Sequence, residues 1–219
     1  TDVFTDTSPI HTVTVSGFWM DKTLVTNADF DAFVKATGYK TTAEQPLNPK
    51  DFPGVPAEKL FSGSVVFTPP TSKVDLNDVT QWWSYVPGAS WRHPEGPASN
   101  IASRMDHPVV HVSHDDALAY AKWVGKQLPS EAQWEFAARG GLKQKPYVWG
   151  DTPPSESKKP LANLFDGAFP YKNTAKDGYA GTSPVTHYPP NAYGLYDMAG
   201  NCWQWMADLY RPDTYRSEE

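Results

Sequence analysis

The chain has 219 residues, with 19 Lys plus Arg against 25 Asp plus Glu and a formal charge of −6. An acidic chain without a basic run is a poor nucleic-acid binder, because neutralising phosphates takes clustered cations. No stretch reaches the roughly 18 apolar residues of a membrane span, and a single cysteine excludes an internal disulfide framework or a Cys-rich zinc site within these residues.

In chain order, the polar, acidic start TDVFTDTSP lacks a signal-peptide pattern, as a processed secretory protein also would. His11 to Val15, HTVTV, alternates and predicts a strand. In TNADFDAFVKATG, Thr26 caps a helix with Asp29 three residues on. Phe30, Phe33 and Val34 share a face, and Gly38 stops it. SVVF, Ser64 to Phe67, predicts a strand, as does PVVHV, Pro108 to Val112. The latter leads into a second helix capped by Ser113, with Asp116 at the third position, Ala117, Tyr120, Ala121 and Val124 on one face, and Gly125 at its end. Ser130 and Gln133 form the capping box of a third helix, which Gly140 and Gly141 terminate. Helix then covers only about a sixth of the chain, well below the usual share of about 30–35%. Residues 142–203 are rich in Gly, Pro, Asn and Asp with little periodicity, and a stretch that long needs something to order it. Thirty aromatic residues, 9 Trp, 11 Tyr and 10 Phe, can build a core from few positions. One domain over 1–219 is expected.

Several groups could carry chemistry. Asn163, Asp166, Asn173 and Asp177, with Gly167 and Gly178 permitting sharp turns, offer oxygen ligands without His or Cys. That set suits a hard cation, calcium first, or else an Asx-turn loop; it does not follow the EF-hand spacing. In NAYGLYDMAGNCWQW, Asp197 and Gln204 supply side-chain oxygens and Gly200 exposes carbonyls. The alternative is an aromatic core turn around Tyr193, Leu195, Tyr196, Trp203 and Trp205. His107, His111 and His114 admit a transition-metal reading, although buried hydrogen-bonded histidines fit the pattern better. Cys202, between Asn201 and Trp203, has no neighbouring base to make it a nucleophile and reads as a small buried residue. The run WWSYVPGASWRHPEGPASN displays Arg92, His93, Glu95 and Ser99 among aromatic rings, as a peptide groove or a well-packed loop.

The segments GFWMDKTLVTNADFDAFVKATGY, WRHPEGP, HPVVHVSHDDALAYAKWVGKQLPSEAQWEFAARGG, YVWGD and NAYGLYDMAGNCWQW, in this order, resemble the formylglycine-generating enzyme or sulfatase-modifying factor family across nearly all of 9–210. Residues 45–80 correspond to a variable insertion. The resemblance implies an α+β fold related to C-type lectins, with low regular secondary structure, three short helices and small sheets. It also implies oxidation of a cysteine to Cα-formylglycine in a Cys-x-Pro-x-Arg segment of an unfolded sulfatase, using dioxygen. By the same resemblance one calcium ion would take the side chains of Asn163 and Asp177 and the carbonyls of Leu164 and Tyr179. A second would take the side chains of Asp197 and Gln204 and the carbonyls of Gly200 and Cys202. The family has Asn where Asp197 stands and Glu where Gln204 stands. The substrate groove would lie beside Pro97, Ala98 and Ser99, Tyr188 and Trp203, with Ala98 in place of a frequent Asp.

Family enzymes also carry a C-terminal segment with two cysteines that bind copper(I). No such segment falls before Glu219, and the family's opening strand has no match, so the sequence is expected to be a middle portion without catalytic residues of its own. A non-catalytic paralogue that binds peptide or protein partners is the alternative to an oxidase, and a domain of an iron-dependent sulfoxide synthase a third reading. The chain is expected to act as a monomer, without a membrane span, in an extracytoplasmic or secretory compartment rather than the cytoplasm.

Overall fold

The same device starts all three helices of this computed structural model, which describes residue 9 and residues 11–215. Helix α1, Asn27–Thr37, begins where Thr26 accepts from the amide of Asp29 while the Asp29 carboxylate accepts from Thr26 N. Helix α2, His114–Trp123, and helix α3, Glu131–Arg139, repeat the reciprocal cap with Ser113–Asp116 and Ser130–Gln133. Each cap satisfies orphan amides of a first turn. α1 and α3 end on Gly38 and Gly140, both in the left-handed region that glycine enters without steric cost.

Strand β1, Gly63–Phe67, pairs antiparallel with β2, Trp83–Pro87, in the register Ser64 to Val86 and Phe67 to Trp83. The expected strand over Ser64 to Phe67 is thus present. The expected strands over His11 to Val15 and Pro108 to Val112 are not. The former run forms no ladder, and the latter keeps a single bridge, Pro108 to Thr26. Alternation qualifies a segment for a ladder, but a strand also needs a partner edge. Here Val109 N to Val25 O and Asn27 N to His107 O make that bridge, and α1 begins at Asn27, so the pairing goes no further.

Two apolar clusters hold these pieces. Phe30, Phe33 and Val34 of α1 meet Trp91 and Ile101, and Trp91 is fully buried edge-on to Phe30 at 5.1 Å. Asp116, also fully buried, accepts from Ser113 N, Thr42 N and the Tyr39 hydroxyl. It thereby fastens α2 to residues 39–44. The second cluster packs Ala137 and Ala138 of α3 on Leu195 and Met198.

Beyond α3 the regular structure among the described residues shrinks to the two-residue strands β3, Gly167–Ala168, and β4, Lys172–Asn173, and one short 3-10 turn, Pro154–Glu156. The second half is built from turns, as its composition implied. No helix among the described residues is long and apolar enough to cross a membrane.

Candidate peptide groove and cation loops

The loop after Trp91 is pinned at every turn. The Trp91 indole donates to Glu44 at 3.3 Å, and the Arg92 guanidinium lies over its ring at 4.0 Å from the centroid. Ser99 Oγ accepts from Glu95 N at 2.9 Å and donates to Gly96 O at 2.7 Å. Arg104 grips Glu95 through two bonds of 2.6 and 2.8 Å, and this pairing holds the Glu95 carboxyl below its usual range. At Gly88, with φ +74°, a Cβ would meet Pro97 at 2.7 Å. That close approach sets Pro97, exposed Ala98 and half-buried Ser99 against the end of β2.

Trp203 lies over the other end of the hairpin. Its ring sits 6.2 Å from Trp83, which rests edge-on against its cross-strand partner Phe67 at 5.4 Å. Trp203 is nonetheless 92% exposed. Tyr188 is placed differently. It is buried, its hydroxyl donates to Asp177 O at 3.2 Å, and burial followed by the charge of Asp177 pushes its phenol to about 12. It lines a cavity of about 270 Å³ with Val148, Trp149, Asp197 and Met198. None of its hydrogen bonds or ring contacts among the described residues reaches Ser99 or Trp203.

The oxygen-rich loops converge. Asp177 accepts from Leu164 N at 2.7 Å and from Tyr179 N at 3.2 Å, while Asn163 donates to Gly181 O at 2.7 Å. Asn173 closes an Asx turn on Ala175 N at 2.9 Å and also accepts from Asp166 N. Asn201 joins this loop to the next. Its amide N donates to Asn163 O, its Oδ1 accepts from Ser183 N, and its Nδ2 donates to Ser183 O and to Asp197 Oδ1. A Cβ at Gly200 would meet Asn163 O at 2.2 Å, and Asp197 and Asn201 themselves have φ of +52° and +61°. Left-handed residues clustered in one turn are backbone strain held by surrounding bonds.

Whether these residues suit a cation is decided atom by atom. Asp197 Oδ2 is buried with no hydrogen-bond partner, and burial raises the pKa of this carboxyl. An orphaned buried acceptor costs about 1–3 kcal/mol, which a cation would offset. The Gln204 side chain is already committed, accepting from the Trp134 indole at 2.8 Å and donating to Asp197 O at 3.0 Å. Both Asp177 oxygens cap amides but retain further lone pairs. No group of three or more His, Cys, Asp or Glu that could hold a metal occurs among the described residues. Amide and carbonyl oxygens would therefore carry most of the coordination, which calcium accepts. Asp197 and the first loop fit such an ion, and Gln204 Oε1, which accepts only the Trp134 indole, keeps a second lone pair for it.

The histidines are dispersed. His107 Nδ1 pairs with Thr182, His111 with Ser64 and Pro94 O, and His114 with Met206 O. Burial pushes the Cys202 thiol up to about 12, with Asp197 adding to it, which suits an unreactive buried thiol. Hydrogen-bonded histidines were the reading the sequence favoured, whereas the linking role of Asn201 was not among the sequence expectations. Asn after Gly at 200–201 was the available signal for that role, since Asn tolerates the left-handed region.

Fold and site together define an α+β scaffold of low regular structure whose loops present an exposed aromatic face at Trp203 and an oxygen-lined knot. A model described as the sulfatase-modifying factor enzyme 1-like domain matches residues 1–219. The formylglycine-generating enzyme of Mycobacterium tuberculosis is 50% identical over 216 residues, covering 97% of this chain and 70% of that protein. The inactive C-alpha-formylglycine-generating enzyme 2 of Bos taurus is 43% identical over 210 residues, 93% of this chain and 64% of that one. The solved structure of PvdO from Pseudomonas aeruginosa aligns with a TM-score of 0.51 at 28% identity, covering 87% of this chain and 56% of that one. The chain belongs to the sulfatase-modifying factor, or formylglycine-generating enzyme, family. It spans between about half and seven-tenths of the length of these relatives.

Proposed function

We propose that the chain is the scaffold of a formylglycine-generating oxidase, which binds a Cys-x-Pro-x-Arg segment of an unfolded sulfatase and converts its cysteine to Cα-formylglycine. The observation that carries this reading is Trp203, an indole 92% exposed with its ring 6.2 Å from Trp83, on the hairpin whose other end meets Pro97. An indole held out in solvent offers its apolar faces and its N–H to a ligand. Ala98 and Ser99 would give the peptide its register, while Tyr188, bonded to Asp177 O, would act only through the oxygen-rich loop. Exchanging the carbon–sulfur bond for a carbonyl releases the sulfur as sulfide and removes two electrons from the substrate; dioxygen takes up four as one oxygen enters the aldehyde and the other leaves as water, so two more electrons must come from an external reductant.

Calcium at Asn163, Leu164, Asp177 and Tyr179, and a second ion at Asp197, Gly200, Cys202 and Gln204, would supply charge that holds these turns in place. Copper(I) would need two thiolates, and Cys202 does not fit that part. The thiols would have to come from outside residues 1–219. The test is incubation of the full-length protein with a Cys-x-Pro-x-Arg peptide, copper(I), a thiol reductant and oxygen, with the aldehyde read by mass spectrometry. Conversion is the expected result. Ala98 and the 43% identity to an inactive relative favour a second reading, a non-catalytic peptide binder. Tight binding without conversion would establish that instead.

A further inference from the structure

We infer that His111 is a positioning residue that holds both walls of the peptide groove in register, an inference that rests on reading Pro97–Ser99 and Trp203 as those walls. His111 has φ +56°, a left-handed backbone that a residue with a Cβ rarely adopts. Strained backbone of this kind persists only where surrounding bonds over-determine it. Here they do. His111 Nε2 lies 2.8 Å from Pro94 O, and His111 Nδ1 lies 2.8 Å from Ser64 Oγ. A carbonyl can only accept, so Nε2 carries the proton, and Nδ1 of the neutral ring accepts from the Ser64 hydroxyl. One imidazole thus ties the buried start of the 94–99 loop to β1.

The residues that follow reach the opposite wall. Val112 O accepts from the Trp205 indole at 3.0 Å, and His114 Nε2 bonds Met206 O at 3.0 Å with its ring edge-on to Trp205 at 5.6 Å. Residues 111–114 therefore hold the Ser99 loop through one pair of bonds and the Trp203–Met206 segment through another. Ser113, between them, caps α2 and meets Thr42 at 2.7 Å, so the whole span rests on the helix and its packed core. The distance between the walls is fixed by four consecutive residues entered through a histidine in the left-handed region.

The test compares the full-length protein with His111→Asn and Ser64→Ala. Asn tolerates the left-handed backbone but is too short to keep both bonds, so it removes the ties without adding strain. Two measurements are made: amide hydrogen exchange, and polarisation of a fluorescein-labelled Cys-x-Pro-x-Arg peptide. His111→Asn is expected to speed exchange in both 94–100 and 203–207 and to raise the peptide Kd about tenfold (roughly 1.4 kcal/mol), with the melting temperature of the core little moved. Ser64→Ala, losing one tie, should give a smaller change of the same pattern. Faster exchange confined to 94–100, or an unchanged Kd, overturns the positioning role. Should the wild type bind no peptide, the groove reading fails while the exchange pattern still judges His111. A variant that does not fold leaves Ser64→Ala to decide the matter by the same two readouts.

Discussion

The region around Trp91 and the region 163–204 are ordered by opposite means. Around Trp91, capped helices present aromatic faces, and Phe30, Phe33 and Trp91 exclude water from one another. Polar bonds there, such as Asp116 to Tyr39 and Thr42 and Trp91 to Glu44, fasten elements that the packed rings already hold together. In 163–204 almost no ladder exists, and side-chain amides and carboxylates take the place of backbone partners: Asn201 alone bonds Asn163, Ser183 and Asp197. A core of the first kind tolerates change at its surface and little at its centre. A knot of the second kind depends on single polar residues whose loss strands several buried groups at once.

The largest expected break is in the first region. Trp91→Ala should cost about 3–5 kcal/mol by denaturant titration, because a fully buried ring leaves a cavity, and both regions should unfold together. A cation would act on the second region alone. Calcium at a hundred times its Kd should add about 2.7 kcal/mol of stability, and a chelator should lower the melting temperature and speed amide exchange in 163–204. An unchanged melt after thorough chelation counts against both ions. Asn201→Gly keeps the left-handed backbone but removes the side-chain bonds, and should cost about 1–3 kcal/mol, with exchange rising on both sides of the knot. The smallest effect concerns acid. The Arg104 bond keeps Glu95 more acidic in the fold than in the open chain. Its contribution is therefore present above the unfolded value of about 4.3 and fades as pH falls through the lower folded value. With the Glu95 side chain 55% exposed, the pair is worth about 0.2–1 kcal/mol. Amide exchange across 95–104 during acid titration would register it.

The same contrast explains what could be read from the residues. Thr26–Asp29, Ser113–Asp116 and Ser130–Gln133 disclosed their helices because a cap is decided within four residues. His11–Val15 misled because alternation cannot name a partner strand, and Pro108–Val112 because its partner segment turns into α1 at Asn27, one residue past the single bridge. At 163–179, oxygen-bearing residues were legible as either Asx turns or ligands. The structure displays the Asx turn at Asn173 and the amide-capped carboxylate at Asp177. The wall-to-wall role of His111 was out of reach, since Ser64 and Pro94 approach it from 47 and 17 residues away.

Trp203 also gives the molecule a light of its own. Trp82 and Trp91 are shielded, whereas Trp203 and Trp19 stand almost wholly in water, so the red edge of tryptophan emission belongs chiefly to these two indoles. With Trp19 replaced by Phe, that edge reports on Trp203, and a guest docking over the hairpin would shift its colour without any label attached.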